Sequence, residues 1–302
     1  MASEVAVLSV RVERPEERPL PARVGRTVLR FTRAKPLGAV GALIIVVMVV
    51  MALAAPIITS YDYAATNPRE KLQAPSAKHW LGTDQIGRDL YTRIVYGARV
   101  ALFVGLCGTL LGVGTGSLIG LVSGYFGGKL DMVLMRVVDS LQAFPGLILA
   151  MALVAVLGYG LEKAFIAIAI TLMPRPARVV RGSVLGARAM PWVEAAHTVG
   201  VPDRRILFRH ILPNVFAPIM VLASLVLGIA ILTEASLSFL GLGVQPPTPA
   251  WGSMLSGAGA NYFETYPHMA IVPGVAISLA VFAFNLFGDA LRDVLDPRLR
   301  GS

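Results

Sequence analysis

Residues Pro191–Pro213 read PWVEAAHTVGVPDRRILFRHILP, a charged island set between long apolar runs. Pro191 suits the first turn of a helix, where a missing N–H leaves nothing unsatisfied. Gly200 suits a left-handed helix stop, and Pro202 can start a second short helix directly after it. Pro213 marks where that second helix ends or kinks. The first helix spans only about two turns and is marginal in water by itself. Trp192, Ala196 and Val199 nevertheless fall at i, i+4 and i+7, giving it an apolar stripe. Two readings fit: a short helix built to enter a partner's groove, or an ordinary re-entrant or interfacial loop.

The flanking runs decide the fold class. The chain has 302 residues, 55% hydrophobic and 15% charged, with a mean hydropathy of +0.68. Soluble domains average about 25% charged residues. Residues 36–61, 100–128, 140–161, 211–233 and 265–288 carry no Asp, Glu, Lys or Arg, and each reaches about the 20 residues a bilayer-spanning helix needs. A sixth run, 163–181, holds Lys163, Arg175, Arg178 and Arg181 and is weaker. The expectation is an all-α membrane protein of six transmembrane helices with both termini in the cytoplasm. On that topology 20 of the 27 Lys and Arg residues fall inside and 7 outside, as the positive-inside rule requires. Topology and anionic lipid headgroups account for the net charge of +9, and no nucleic-acid partner is needed. Residues 1–35 are polar and Arg-rich, without the pattern of a cleaved signal peptide. The single cysteine, Cys107, excludes a disulfide or Cys-based metal site within one chain.

Several polar residues stand out. In the outside segment, His79, Asp84 and Asp89 hint at a metal site, but their spacing matches no tight ligand cluster; a contact surface or subunit packing fits better. Gly108, Gly112, Gly116 and Gly120 recur every fourth residue, a groove for close helix packing. Asp139 followed by Phe144-Pro145 suggests a kinked third helix. Glu234 stands at membrane depth, where an ionisable residue is a functional candidate; pathway lining and a capping or intersubunit role at the outer interface both remain open. Trp251, Tyr262, Phe263 and Tyr266 fit an aromatic belt at the interface. The four histidines are scattered over the topology, and neither HExxH, GxSxG nor GxxxxGK[ST] occurs, so neither a membrane enzyme nor ATP binding by this chain is indicated.

Glu194-Ala195-Ala196, then Gly200, then Leu212-Pro213 resemble the EAA loop of bacterial ABC-importer permeases. His210, where the family is usually aliphatic, and Asn214 after the proline look like the dipeptide, oligopeptide and nickel branch. HWLGTDQIGRDLYTRIVYGAR is similar to that branch's segment before the second span, matching at Gly82, Asp84, Gly87, Arg88 and Asp89; TEASLSFLGLG around Glu234 and LRDVLDPRLR near the C-terminus have the same flavour. The resemblance covers residues 25–300 and implies the "C-type" permease with the type I importer fold in the cytoplasmic (inner) membrane. It divides the chain into a cytoplasmic tail (1–35), a first span (36–61), an extracytoplasmic segment (62–99), a five-helix permease domain (100–292) with the EAA loop at 183–213, and a cytoplasmic tail (293–302).

The implied function is import of di- or oligopeptides, or else of nickel or glutathione. The implied partners are a second homologous permease, two ATP-binding subunits that hold the ATP and Mg, and an extracytoplasmic substrate-binding protein. No cofactor or metal is implied in this chain. Trp192, Glu194, Ala195, Ala196, Gly200, Arg204, His210, Leu212 and Pro213 become candidates for ATPase coupling. Glu234, Ser236, Ser238 and Asn285 become candidates for the pathway or gate, and Asp84, Arg88 and Asp89 for binding-protein contact. The competing class is a secondary carrier, against which the lack of a clear internal repeat counts.

Overall fold

The computed structural model describes residues 31–295; the expectations for the N-terminal tail before residue 31 and for residues 296–302 lie outside the described residues. By its contacts the chain divides between Pro36 and Leu37, and the larger unit, from Leu37 onward, holds the bundle. The elements are helical: α1 (Pro36–Ile58), α2 (Leu90–Phe126), α3 (Gly128–Gln142), α4 (Gly146–Leu157), α5 (Leu161–Leu172), α6 (Pro174–Arg188), α7 (Pro191–Thr198), α8 (Leu212–Phe239), α9 (Trp251–Tyr262) and α10 (His268–Leu295). Asp203–Arg205 and a π-helical turn, Ile206–Ile211, run straight into α8.

Among the described residues four helical runs are long and apolar enough to cross a membrane: Pro36–Ile58, Leu90–Phe126, Asp203–Phe239 and His268–Val294. The pair α3 and α4, bent by 95°, makes a fifth if taken as one span. Apolar side chains that a soluble fold would hide face outward, such as Leu43 at 63% and Leu53 at 75% exposure on α1. Lipid rather than water suits such a surface.

Several boundaries differ from the sequence expectation. α2 begins at Leu90, well before the charge-free run, because Asp89 caps it by accepting from Thr92 N. Arg93 and Arg99 are accommodated in the helix by donating to the carbonyls of Tyr63 and Ala52. The third run is a sharp break rather than a kink. Ala143 to Pro145 separate α3 from α4, since a proline has no N–H to offer and keeps the preceding residue out of the helical region. Pro213 does not end its helix. The π turn ahead of it gives the wider backbone spacing that a proline ring needs against the preceding turn, and α8 continues. The 241–267 connection contains α9, and Trp251 is no belt residue: it is 3% exposed, packs on Gly97 and donates from Nε1 to Ile94 O at 3.0 Å.

The glycine face of α2 organises the bundle. A Cβ on Gly112, Gly116 or Gly120 would strike the carbonyl oxygens of Ala169, Met173 and Ala177 respectively, and one on Gly124 that of Arg181. Four residues along α2 are thus matched by four along α5–α6, so the two run parallel at backbone contact. This is the packing that small residues permit where no hydrophobic effect between helices is available. Three apolar clusters fill the rest. One joins α1, α2, α8, α9 and α10, a second joins α2, α4, α5 and α8, and a third gathers Leu121, Tyr125, Val180, Val184, Val193, Ile206 and Ile211.

Candidate functional site

The third cluster seats α7. Pro191 occupies the first turn after an extended Met190. The helix ends in a Schellman motif: Gly200 N–H donates to His197 O at 2.9 Å, Val201 N–H donates to Ala196 O at 3.0 Å, and Gly200 has φ +77. Only Val193 is fully buried, with Ala196 partly so. Trp192, Glu194, Ala195 and Gly200 lie on the exposed surface, and Val199 is 77% exposed. The expected apolar stripe therefore splits: Ala196 helps fasten the helix to its own chain, while Trp192 and Val199 face outward. Arg204 is exposed beside Phe208 on a surface groove with Pro202 and Arg205. His210 and Leu212 are half-buried, Pro213 is exposed, and His210 O accepts from Asn214 Nδ2.

The four pathway candidates do not share one environment. Glu234 is 1% exposed and accepts a 2.6 Å hydrogen bond from Ser238 Oγ, itself buried. Both are interior to this chain. Ser236 returns its hydroxyl to Leu232 O and borders an apolar groove of about 470 Å³ with Phe239, Gly274 and Ser278. Asn285 is exposed on α10 and lies against Gly228 of α8.

In the segment between α1 and α2 the three contact candidates are engaged within their own loop. Asp84 (6% exposed) accepts from the backbone N–H of Ile86 and Arg88 and from Arg88 Nε at 2.6 Å. Asp89 (5% exposed) caps α2 and meets His79 Nδ1 at 2.9 Å. Carboxylates with every oxygen engaged inside a loop stabilise that loop and offer little to a partner. Arg88, held by Asp84, is the least buried of the three. His79 lies between Asp89 and Glu70, and Glu70 also pairs with Lys78. That hydrogen bond from the Lys78 ammonium, with His79 beside it, holds the Glu70 carboxyl below its ordinary range.

Comparison with known proteins now gives the family. Residues 116–301 match the model described as binding-protein-dependent transport system inner membrane component. The chain belongs to that family. Residues 25–75 also match the N-terminal TM domain of oligopeptide transport permease C. The chain is 44% identical over 286 residues to the dipeptide transport system permease protein DppC of Alkalihalophilus pseudofirmus, covering 95% of this chain and 94% of the relative. It is 44% identical over 272 residues to the glutathione transport system permease protein GsiD of Pectobacterium atrosepticum, and 43% identical over 273 residues to GsiD of Escherichia coli O157:H7; both alignments cover 90% of each chain. It is thus a permease subunit of an ABC importer and a multi-pass inner-membrane protein.

Two groups around α7 and its flanking elements are not evident from sequence. Arg181 binds Asp131 through Nε and Nη2, both at 2.6 Å, and Ser123 Oγ donates to the same carboxylate. Tyr125, at the end of α2, donates to Asp203 Oδ1 at 2.6 Å. Asp131 follows the turn after α2, but nothing in its spacing points fifty residues on to Arg181; Tyr125 reads as one more apolar-run aromatic.

Proposed function

We propose that the chain forms one half of a peptide-conducting pore and that α7 couples it to ATP hydrolysis in a separate subunit. The observation that carries this is the exposed face of α7: a helix whose one fully buried side chain is Val193 leaves Trp192, Glu194, Ala195 and Val199 for a partner's groove. Six crossings with cytoplasmic termini fit the packing. If α5–α6 crosses parallel to α2, then α3–α4 is the return between them, and the 191–213 stretch lies on the same side as the end of α2. The domain divisions are those expected from the sequence, with the first permease helix extended back to Leu90.

The chain acts as a translocation subunit without a cofactor of its own. Two partner ATPases bind ATP and Mg, a second homologous permease completes the pore, and a binding protein delivers substrate from outside. ATP-driven closure of the ATPases moves the groove that holds α7, and because the loop runs into α6 and α8 the bundle tilts with it. The two states must differ in contact energy for this to work, so the docking residues Trp192, Glu194, Ala195, Ala196, Gly200 and Arg204 need firm seating. His210, Leu212 and Pro213 hold the return into α8. Peptides are the substrate class supported by relatives named for dipeptide and glutathione transport; glutathione is itself a tripeptide. Ser236 and Asn285, open to the α8–α10 surface, remain pathway candidates.

The test is ATP-driven uptake by proteoliposomes holding the assembled importer and its binding protein. Labelled dipeptide, longer peptide, glutathione and Ni²⁺ are offered in turn. Saturable uptake of a peptide supports the reading. Uptake of Ni²⁺ alone replaces the substrate class, and uptake driven by an ion gradient without ATP overturns the mechanism.

A further inference from the structure

The docking loop has to be joined to the bundle by something stiffer than apolar contact, and one side chain reaches it from α2. Tyr125 is 4% exposed, its ring set among Leu121, Val180, Val184, Val193 and Ile206. Packing alone would be served by phenylalanine. The hydroxyl instead leaves the cluster and donates to Asp203 Oδ1 at 2.6 Å, with His197 Nε2 at 3.5 Å. The His197 ring stacks on the tyrosine, 18° from parallel at 6.4 Å, and the Arg188 guanidinium lies 6.0 Å from the ring centroid. One side chain therefore touches the last residue of α6, the last turn of α7 and the first turn of the helix leading into α8. Among the described residues no other side-chain hydrogen bond joins the 191–205 stretch to a helix outside it.

We propose that Tyr125 is a positioning residue that latches α2 to both ends of the docking loop, so that displacement of α7 is passed to α2 and, through its glycine face, to α5–α6. α2 is 37 residues and about 55 Å long, so a push at Tyr125 is delivered along the whole depth of the bundle. Its hydrogen bond to a carboxylate is of the strong, charge-assisted kind. It spans two elements whose relative movement a looser contact would absorb. The latch rests on the reading of α7 as the ATPase-docking helix.

The experiment uses the whole importer in proteoliposomes and measures substrate moved per ATP hydrolysed, alongside melting temperature and ATPase co-purification. Tyr125→Phe keeps the ring and its stack. The latch predicts unchanged assembly, a folded permease whose melting midpoint drops only slightly, and a roughly tenfold fall in substrate per ATP, the factor that loss of one hydrogen bond to a charged group supplies. Asp203→Asn should act in the same direction. The double variant should be no worse than the stronger single one, since both remove one interaction. Wild-type coupling in Tyr125→Phe, or a fall matched by loss of assembly or of folded permease, overturns the latch. Glu194→Arg separates the underlying reading: if it leaves the ATPases bound and uptake normal, the docking assignment itself fails, whatever Tyr125 does.

Discussion

Arg181 and Asp131 meet through two parallel hydrogen bonds of 2.6 Å, a fork-to-fork pair that fixes the start of α3 against α6. Such bidentate geometry adds direction as well as strength to an ion pair. Both side chains are partly open to solvent, so the pair contributes about 1 kcal/mol rather than a buried ion pair's worth. Asp131→Asn and Arg181→Gln should each lower the detergent melting midpoint slightly. The exchange Asp131→Arg with Arg181→Asp should restore part of it, as differential scanning fluorimetry would read.

The glycine face makes a sharper prediction. Gly116→Leu or Gly120→Leu places side-chain atoms against the carbonyls of Met173 or Ala177 and should abolish folded, detergent-soluble protein. Gly114, on the same helix, has open space where its Cβ would be. Gly114→Ala should therefore elute from size exclusion as the wild type does.

For Glu234 the interior position sets the expectation. Glu234→Gln keeps an oxygen to accept from Ser238 and should leave uptake near wild type. Glu234→Ala opens a cavity and strands the Ser238 hydroxyl, a loss of about 2 kcal/mol, visible as a lower melting midpoint. Abolished uptake by a stable Glu234→Gln permease would return the residue to the translocation path.

The Glu70 cluster gives the segment between α1 and α2 an acid dependence. Its folded pKa lies below the ordinary value of 4.5 because of Lys78 and His79. A depressed carboxyl contributes stability that is present above its unfolded pKa and is lost as pH falls through the folded one. Protection of the 60–89 amides, taken relative to their intrinsic exchange rates at each pH, should hold steady above pH 4.5 and fall below it. Glu70→Gln should remove that step.

Much of this was readable in the residues. Gly200 and the two prolines around α7 announced its limits through backbone chemistry alone, and the fourfold glycine spacing announced close packing. Hydropathy located the apolar helices but not where they begin, since Asp89 extends α2 into a charged stretch by capping it. Pro213 read as an end or a kink, and that the helix runs on past it was not legible because the remedy for a mid-helix proline, a π turn, leaves no mark in the sequence. Asp84 and Asp89 looked like surface charges because a pattern does not reveal which carboxylates find partners within their own loop. Tyr125 was invisible because its partner stands seventy-eight residues away.

The most direct test of ATPase docking through α7 is co-purification of partner ATPases with the tagged permease from its native membrane, comparing wild type with Glu194→Arg and Gly200→Pro. Gly200 at φ +77 cannot accept proline, and its N–H is engaged with His197 O. Wild type is expected to retain both ATPases, while each variant inserts normally and loses them. ATPases retained by both variants, or absent from the wild type even after crosslinking, would contradict docking through this helix.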